Sequence, residues 1–209
     1  MENFTKKEIA FLKKINTPLK VQDFLNSLKF NFEKDEKGFV KDTFKSPLRV
    51  LREGNAHCIE GAVLGAFMLS LQGYKPLLLH LKTTKNDFDH VVAPFKKDGY
   101  WGALSKTNHS VLRYRDPIYK NIRELALSYF HEYFLTNGSK TLRQYSDVLD
   151  LNIFEDNWKN EMQDMWGIDE ELDKIKHYDI LNKKNINKLR KADAIEIQAS
   201  NVVEYKDAL

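Results

Sequence analysis

Gly54-Asn55-Ala56-His57-Cys58-Ile59-Glu60-Gly61 runs directly into the apolar stretch from Ala62 to Leu71. The stretch is apolar nearly all round (Ile59, Ala62, Val63, Leu64, Ala66, Phe67, Met68, Leu69, Leu71). A helix without a polar face is buried on most sides, so this segment reads as the central helix of the fold. Gly61 and Gly65 lie four apart on one face and admit a neighbouring backbone closely. Gly73 suits the position just past the helix end. Cys58, the only cysteine of the chain, falls where this helix begins. Unpaired N–H groups and the positive end of the helix dipole favour a thiolate over a thiol there.

Working outward, Leu77–Leu81, Phe88–Phe95 and Tyr100–Leu104 have strand composition. Lys97-Asp98-Gly99 supplies turn chemistry between the last two, which predicts an antiparallel hairpin. His90 lies in the second strand, and a cysteine at a helix start followed by a strand histidine is one way to make a sulfur nucleophile at neutral pH. The imidazole then needs a group on its second nitrogen. A four-residue loop, Lys96 to Gly99, places His90 opposite Ser105. A two-residue loop, Asp98-Gly99, places it opposite Thr107 with Ser105 diagonal. Both registers leave Asn108 out unless a bulge or the strand end intervenes, yet Asn108 carries the better acceptor, an amide oxygen. Ser105 and Asn108 therefore both stand as candidates. Asp89 is expected on the opposite face from His90. The Cys58 backbone N–H is the expected oxyanion donor, unless Asn55 caps the helix through that same N–H.

The chain has 209 residues, 42% of them hydrophobic, and 33 basic against 30 acidic side chains. That suits one domain, 1–209, with a real core, and excludes a disordered chain. The small positive charge does not suggest nucleic-acid binding. One cysteine cannot form an intrachain disulfide, the N-terminal stretch lacks an apolar signal region, and the apolar helix is too short to span a bilayer. The expectation is a cytoplasmic protein with no membrane partner.

Elsewhere, Thr5 with Glu8 resembles a capping box and Thr17-Pro18 a second helix start, while residues 31–45 read as a loop. Asp116-Pro117 should break the strand region, and Asn121 to Phe134 reads as one helix. The remainder, 141–209, is expected to be a helical extension whose Trp158, Met165 and Trp166 pack its helices. Lys106, His109, Arg113 and Arg115 form a basic cluster able to hold an anion, although a solvated face is the plainer reading. His57 and Glu60 lie three apart on one helix, but no HExxH or CxxC spacing supports a metal, and no phosphate loop implies a cofactor.

Gly54-Asn55-Ala56-His57-Cys58 through Gly73-Tyr74-Lys75-Pro76 resembles the core of the transglutaminase-like superfamily, in which a cysteine opens a buried helix. Asp89-His90-Val91-Val92 followed by Gly99-Tyr100-Trp101-Gly102-Ala103 is similar to that superfamily's histidine strand and the strand after it. The resemblance covers residues from about 46 to 108. The longer block Trp101 to His109, with Arg113-Tyr114-Arg115-Asp116-Pro117, is similar to a bacterial subgroup and takes the core to 46–117. The resemblance implies a papain-like α+β fold: a buried central helix carrying the cysteine, packed on an antiparallel sheet, with added N- and C-terminal helices. It implies a Cys-His-Asp type site acting on an amide or acyl carbon through a thioester. Cys58 and His90 carry over, whereas the family's aspartate falls on Ser105, so that role passes to Ser105 or Asn108. The expected activity is hydrolysis or acyl transfer on a peptide or a small amide or ester, with His90 taking the thiol proton. A non-catalytic binding module on the same fold is the alternative.

Overall fold

The computed structural model describes residues 3–35 and 37–206. The outermost positions of the expected 1–209 domain, and Glu36 in the expected loop, lie outside the described residues.

Helices α1 (Lys6–Lys14) and α2 (Pro18–Ser27) start from side-chain caps. Thr5 Oγ1 accepts from the Glu8 N–H at 3.2 Å and the Glu8 carboxylate accepts from the Thr5 N–H at 2.6 Å, closing the expected capping box. Strand β1 (Lys29–Phe30) pairs in parallel with β2 (Asn55–Ala56). Between them in sequence lies α3 (Pro47–Glu53), which ends on Gly54 at φ 71°, a left-handed position suited to glycine. This turn sets up α4 (Cys58–Ser70), whose residues Ile59 to Leu69 are all buried. Val63 and Leu64 are fully enclosed, and burying each such side chain contributes roughly 1.5–3 kcal/mol.

Seven strands form one antiparallel sheet: β3 (Leu77–Lys82), β4 (His90–Lys97), β5 (Tyr100–Leu104), β6 (Arg115–Tyr119), β7 (Gln144–Ser146), β8 (Leu149–Asp150) and β9 (His177–Asp179). The order is β6-β5-β4-β3-β7-β9, with β8 also on β3. Asp98 and Gly99 both take positive φ, 52° and 88°, and Lys97 pairs with Tyr100. The hairpin therefore uses the two-residue loop, whose twist matches that of the strands. Helices α2, α3 and α4 pack on one face of the sheet, with Leu78, Val91, Ala93 and Phe95. On the other face Leu79, Leu81 and Val92 meet α5 (Ile122–Leu127) and the aromatic run Tyr129, Phe130, Tyr133.

Three expectations need correcting. Asp116-Pro117 does not break the strand region: Pro117 lies inside β6, an edge strand, where its missing N–H is tolerated. The helix expected over Asn121 to Phe134 stops at Leu127 and resumes as one 3-10 turn, Phe130–Glu132. Ser128 Oγ donates back to the Leu125 carbonyl at 2.7 Å, and Arg115 donates to the Ser128 carbonyl at 3.2 Å, so that carbonyl is not free to extend the helix. The C-terminal third is not purely helical. Besides α6 (Trp166–Lys174), α7 (Lys183–Ile186) and α8 (Ala194–Ser200) it supplies β7, β8 and β9 to the sheet. Trp158 and Met165 are buried in the core around α4, while Trp166 is partly exposed with its ring edge on Phe44. No helix among the described residues is long and apolar enough to cross a membrane.

Candidate active site

Cys58 is the first residue of α4, and His90 is the first residue of β4. Both line a cleft of about 750 Å³. One wall comes from Phe30 to Glu33, another from Thr107 to His109 and a third from Ile197, Ser200 and Asn201 of α8 and its exit. Cys58 is half-buried and lines this cleft together with His57 and His90. Burial pushes the thiol up, but the two imidazoles outweigh it and hold Cys58 well below its ordinary value.

The helix start is built by Glu60. Its buried carboxylate accepts from the His57 N–H (3.1 Å), the Lys45 N–H (3.0 Å), Thr43 Oγ1 (2.8 Å) and Asn31 Nδ2 (3.0 Å). Asn55 is not the cap: His57 occupies that position and the Asn55 side chain accepts from Lys45 Nζ. The Cys58 N–H, in the first turn, is thus not taken by Asn55 and has no acceptor within its own helix.

His90 is buried, and its Nε2 lies 2.8 Å from Ser105 Oγ. Ser105 Oγ–H is committed to the Leu112 carbonyl at 2.5 Å, so Ser105 accepts from His90 Nε2–H. This fixes the tautomer and leaves Nδ1 for the thiol. With Ala93 opposite Leu104, the pairing continues to put Ser105 diagonal to His90, close enough for a serine to reach. Two further elements hold Ser105. Gln22 of α2 clamps its backbone from both sides, Nε2 donating to the Ser105 carbonyl at 2.8 Å and Oε1 accepting from its N–H at 2.9 Å. Leu112 sits at φ 61°, a strained position for leucine, costing about 1–3 kcal/mol. Its N–H donates to Glu132 at 2.6 Å, and Glu132 pairs with Arg115 at 2.6 Å, so both backbone groups of Leu112 are held.

The other expected residues lie elsewhere. Asn108 turns its amide to the C-terminal segment, donating to the Tyr205 carbonyl and accepting from its N–H, each at 2.9 Å. It is therefore spent on the tail and does not orient His90. Asp89 accepts from His80 Nε2 at 3.0 Å and from Thr83. The basic cluster does not converge on an anion site. Lys106 is buried and donates to the Leu28 carbonyl at 2.6 Å, with burial lowering it to about 8. His109 Nδ1 faces the Ser200 carbonyl, Arg113 pairs with Glu204 at 2.8 Å, and Arg115 stacks on Tyr129 beside Glu132. These positive groups are consumed internally, which removes the argument for an anion there. Among the described residues no group of three or more His, Cys, Asp or Glu is arranged to hold a metal.

Gln22 was not singled out from the sequence, and Glu132, beside His131, read only as an ordinary helix face. The available signal for Gln22 is a polar residue on the apolar face of α2, beside Val21 and Leu25. For Glu132 there is no local signal, because its partners are the Leu112 N–H and the Arg115 side chain, both distant in sequence.

No known family pattern and no curated protein sequence matches the chain. Among solved structures it is similar to Legionella pneumophila LapG, with 19% identity, a TM-score of 0.36, and coverage of 46% of this chain and 59% of that one. The EGTA-treated form of LapG gives 21% identity, a TM-score of 0.35 and coverage of 46% and 57%. The match spans less than two thirds of either LapG chain, and at these TM-scores it carries no assignment of fold or activity.

Proposed function

We propose that this chain is a cysteine-nucleophile acyl-transfer enzyme of the transglutaminase-like kind, acting on an amide or ester bond in a peptide or small molecule. The single observation behind this reading is that Cys58, at a helix N-terminus, lines one cleft with His90, whose Nε2 is held by Ser105 at 2.8 Å. The thiolate attacks the carbonyl carbon: an S–C bond forms and the C=O π pair moves to oxygen, where the Cys58 N–H is the available donor. The carbonyl re-forms as the bond to the leaving amine or alcohol breaks, and His90 supplies the leaving group's proton. Water then gives a proton to His90 and attacks the thioester, releasing the acid and the sulfur. An amine in place of water makes the reaction a transfer.

Ser105 in place of a carboxylate favours a second reading, a non-catalytic module that keeps the fold and binds a ligand in the cleft. A serine cannot offset an imidazolium charge, though it does fix the tautomer. Alkylation with iodoacetamide, read by mass spectrometry across pH for the native chain, Cys58→Ser and His90→Ala, separates the two. The enzyme reading requires fast modification of Cys58 alone, with a midpoint well below the ~8.5 of free cysteine. Slow modification with an ordinary midpoint would falsify it.

A further inference from the structure

The wall of the cleft that carries His90 also carries a ring that the fold leaves in water. Phe88 sits two residues before His90, in the loop between β3 and β4, and lines the cleft with 90% of its surface exposed. A single exposed apolar side chain is ordinary on a protein surface. This one differs because its loop is pinned on both sides. Asp87 accepts from the Phe88 N–H at 2.9 Å and from Thr141 Oγ1, which ties the loop to the segment before β7. Asp89 accepts from the Thr83 N–H at 2.7 Å and from His80 Nε2 at 3.0 Å. The ring is thus presented by a loop already ordered, and little freedom remains to be lost when something covers it.

The apolar wall continues beside it. The Thr141 N–H donates to the Tyr133 carbonyl at 3.1 Å, which brings Phe134 and Leu135, both half-buried in the cleft lining, up to the same loop. Another wall holds Phe30 and Phe32, whose rings meet edge-on with centroids 5.2 Å apart. The charged groups of the lining are engaged inside the protein. Glu33 accepts from the Thr43 N–H at 3.1 Å and lies 3.5 Å from His57 Nε2, while Glu132 holds Arg115 and the Leu112 N–H. Lys106 is the one lysine or arginine among the described lining residues, and it donates to the Leu28 carbonyl. No cation of this kind is left over for a carboxylate on a substrate.

We propose that the cleft selects an uncharged substrate whose apolar part, an aliphatic or aromatic side chain or an acyl chain, lies against Phe88 while Cys58 meets its carbonyl. The proposal rests on the acyl-transfer reading and names the substrate class for that site, with Phe88 as the specificity-determining residue. Covering the exposed ring removes apolar surface from water and favours binding in proportion to the area covered. A carboxylate in the same place loses its water and meets Glu33, Asp87 and Glu132 in place of a cation.

The test uses the Cys58 thiol as the reporter. The native chain, Phe88→Ser and Phe88→Leu are alkylated with N-ethyl-, N-butyl- and N-heptylmaleimide and with maleimidohexanoate, each rate being divided by that of N-acetylcysteine. Expected in the native chain is a relative rate that rises at least about tenfold from ethyl to heptyl, with no such rise for the carboxylate reagent. Phe88→Ser should lose at least about threefold of that gain while its ethyl rate is unchanged, and Phe88→Leu should keep it. Equal relative rates along the series, or a carboxylate reagent as fast as heptyl, overturn the proposal. So does a gain that survives intact in Phe88→Ser. The acyl-transfer reading fails separately. An ordinary iodoacetamide midpoint beside a steep maleimide series removes that reading and leaves an apolar cleft that holds a ligand in place of a substrate. A thiol that no maleimide reaches sinks both.

Discussion

The hydroxyl of Ser105 stands between His90 Nε2, 2.8 Å away, and the Leu112 carbonyl, 2.5 Å away. It can donate to only one of them, and the carbonyl can only accept, so the histidine must donate. A neutral residue thereby does the orienting half of what a carboxylate does, without the electrostatic half.

Replacing Ser105 by Ala leaves His90 Nε2–H and the Leu112 carbonyl unpaired. Losing such buried partners costs about 1–3 kcal/mol, so turnover of an activated ester such as p-nitrophenyl acetate should drop roughly 10- to 100-fold, with the Cys58 alkylation midpoint less affected. Ser105→Asp should not rescue or improve activity, because the new carboxylate faces the Leu112 carbonyl oxygen. A gain in turnover for Ser105→Asp would contradict this account of the site.

Gly61 marks where the loop after β5 crosses α4. A Cβ added there collides with Lys106 Cβ, close to the backbone, whereas one added at Gly65 lies 3.1 Å from the side-chain tip of Leu104. Gly61→Ala should destabilise the chain by about 1–3 kcal/mol in urea unfolding, and Gly65→Ala by clearly less. Equal effects at the two positions would mean that Lys106 gives way easily.

Burial lowers His57, but the neighbouring sulfur, the Glu60 carboxylate and the Thr43 carbonyl outweigh it, and the raised value has a definite sign in stability. Where the folded value, about 9, exceeds the unfolded one, ~6.5, the contribution is fully present below ~6.5 and is lost as pH rises through about 9. The melting temperature of the native chain should therefore exceed that of His57→Gln most at pH 6.5, and the gap should narrow between pH ~8 and ~10. A gap that widens over that range would show the charge on His57 to be unfavourable in the fold.

Asn108 tethers the segment after α8 through its paired bonds to Tyr205. In Asn108→Ala, amide hydrogen exchange at residues 202–206 should speed up by at least about tenfold, while Cys58 labelling keeps its pH midpoint. Loss of the low midpoint instead would return Asn108 to the catalytic relay.

Tyr133 lines the cleft, yet its hydroxyl is buried with no hydrogen-bond partner among the described residues. Deleting an unsatisfied hydroxyl removes a desolvation cost, so Tyr133→Phe should be neutral or stabilising, by up to ~1–2 kcal/mol in thermal or urea unfolding. A clear loss of stability would reveal a partner that the hydroxyl holds.

The parts of the fold legible in the sequence were those governed by local rules. The all-apolar run after Cys58 reads as a buried helix, and Asp98-Gly99 reads as a tight hairpin turn, because periodicity and positive φ act within a few residues. Ser105 remained tied with Asn108 because both hairpin registers left Asn108 out while its amide oxygen is the better acceptor, and what removes Asn108 is its pairing with Tyr205, far away in sequence. The split of the helix near Ser128 was invisible because its cause, Arg115, lies on another strand. The short strands of the C-terminal third were missed for a related reason: three residues such as Gln144–Ser146 show no period of their own and become strand only by pairing with β3. Gln22 is eighty-three residues from the serine it clamps, beyond the reach of any spacing argument.

The cleft takes walls from both Phe30–Glu33 and Ile197–Asn201, on either side of the sulfur in chain order. A chain emerging from the ribosome exposes residue 58 long before residues 197–201 exist. The thiol and its histidines are therefore made before one wall of the cleft that surrounds them, and the cleft is completed only once that later segment has folded back.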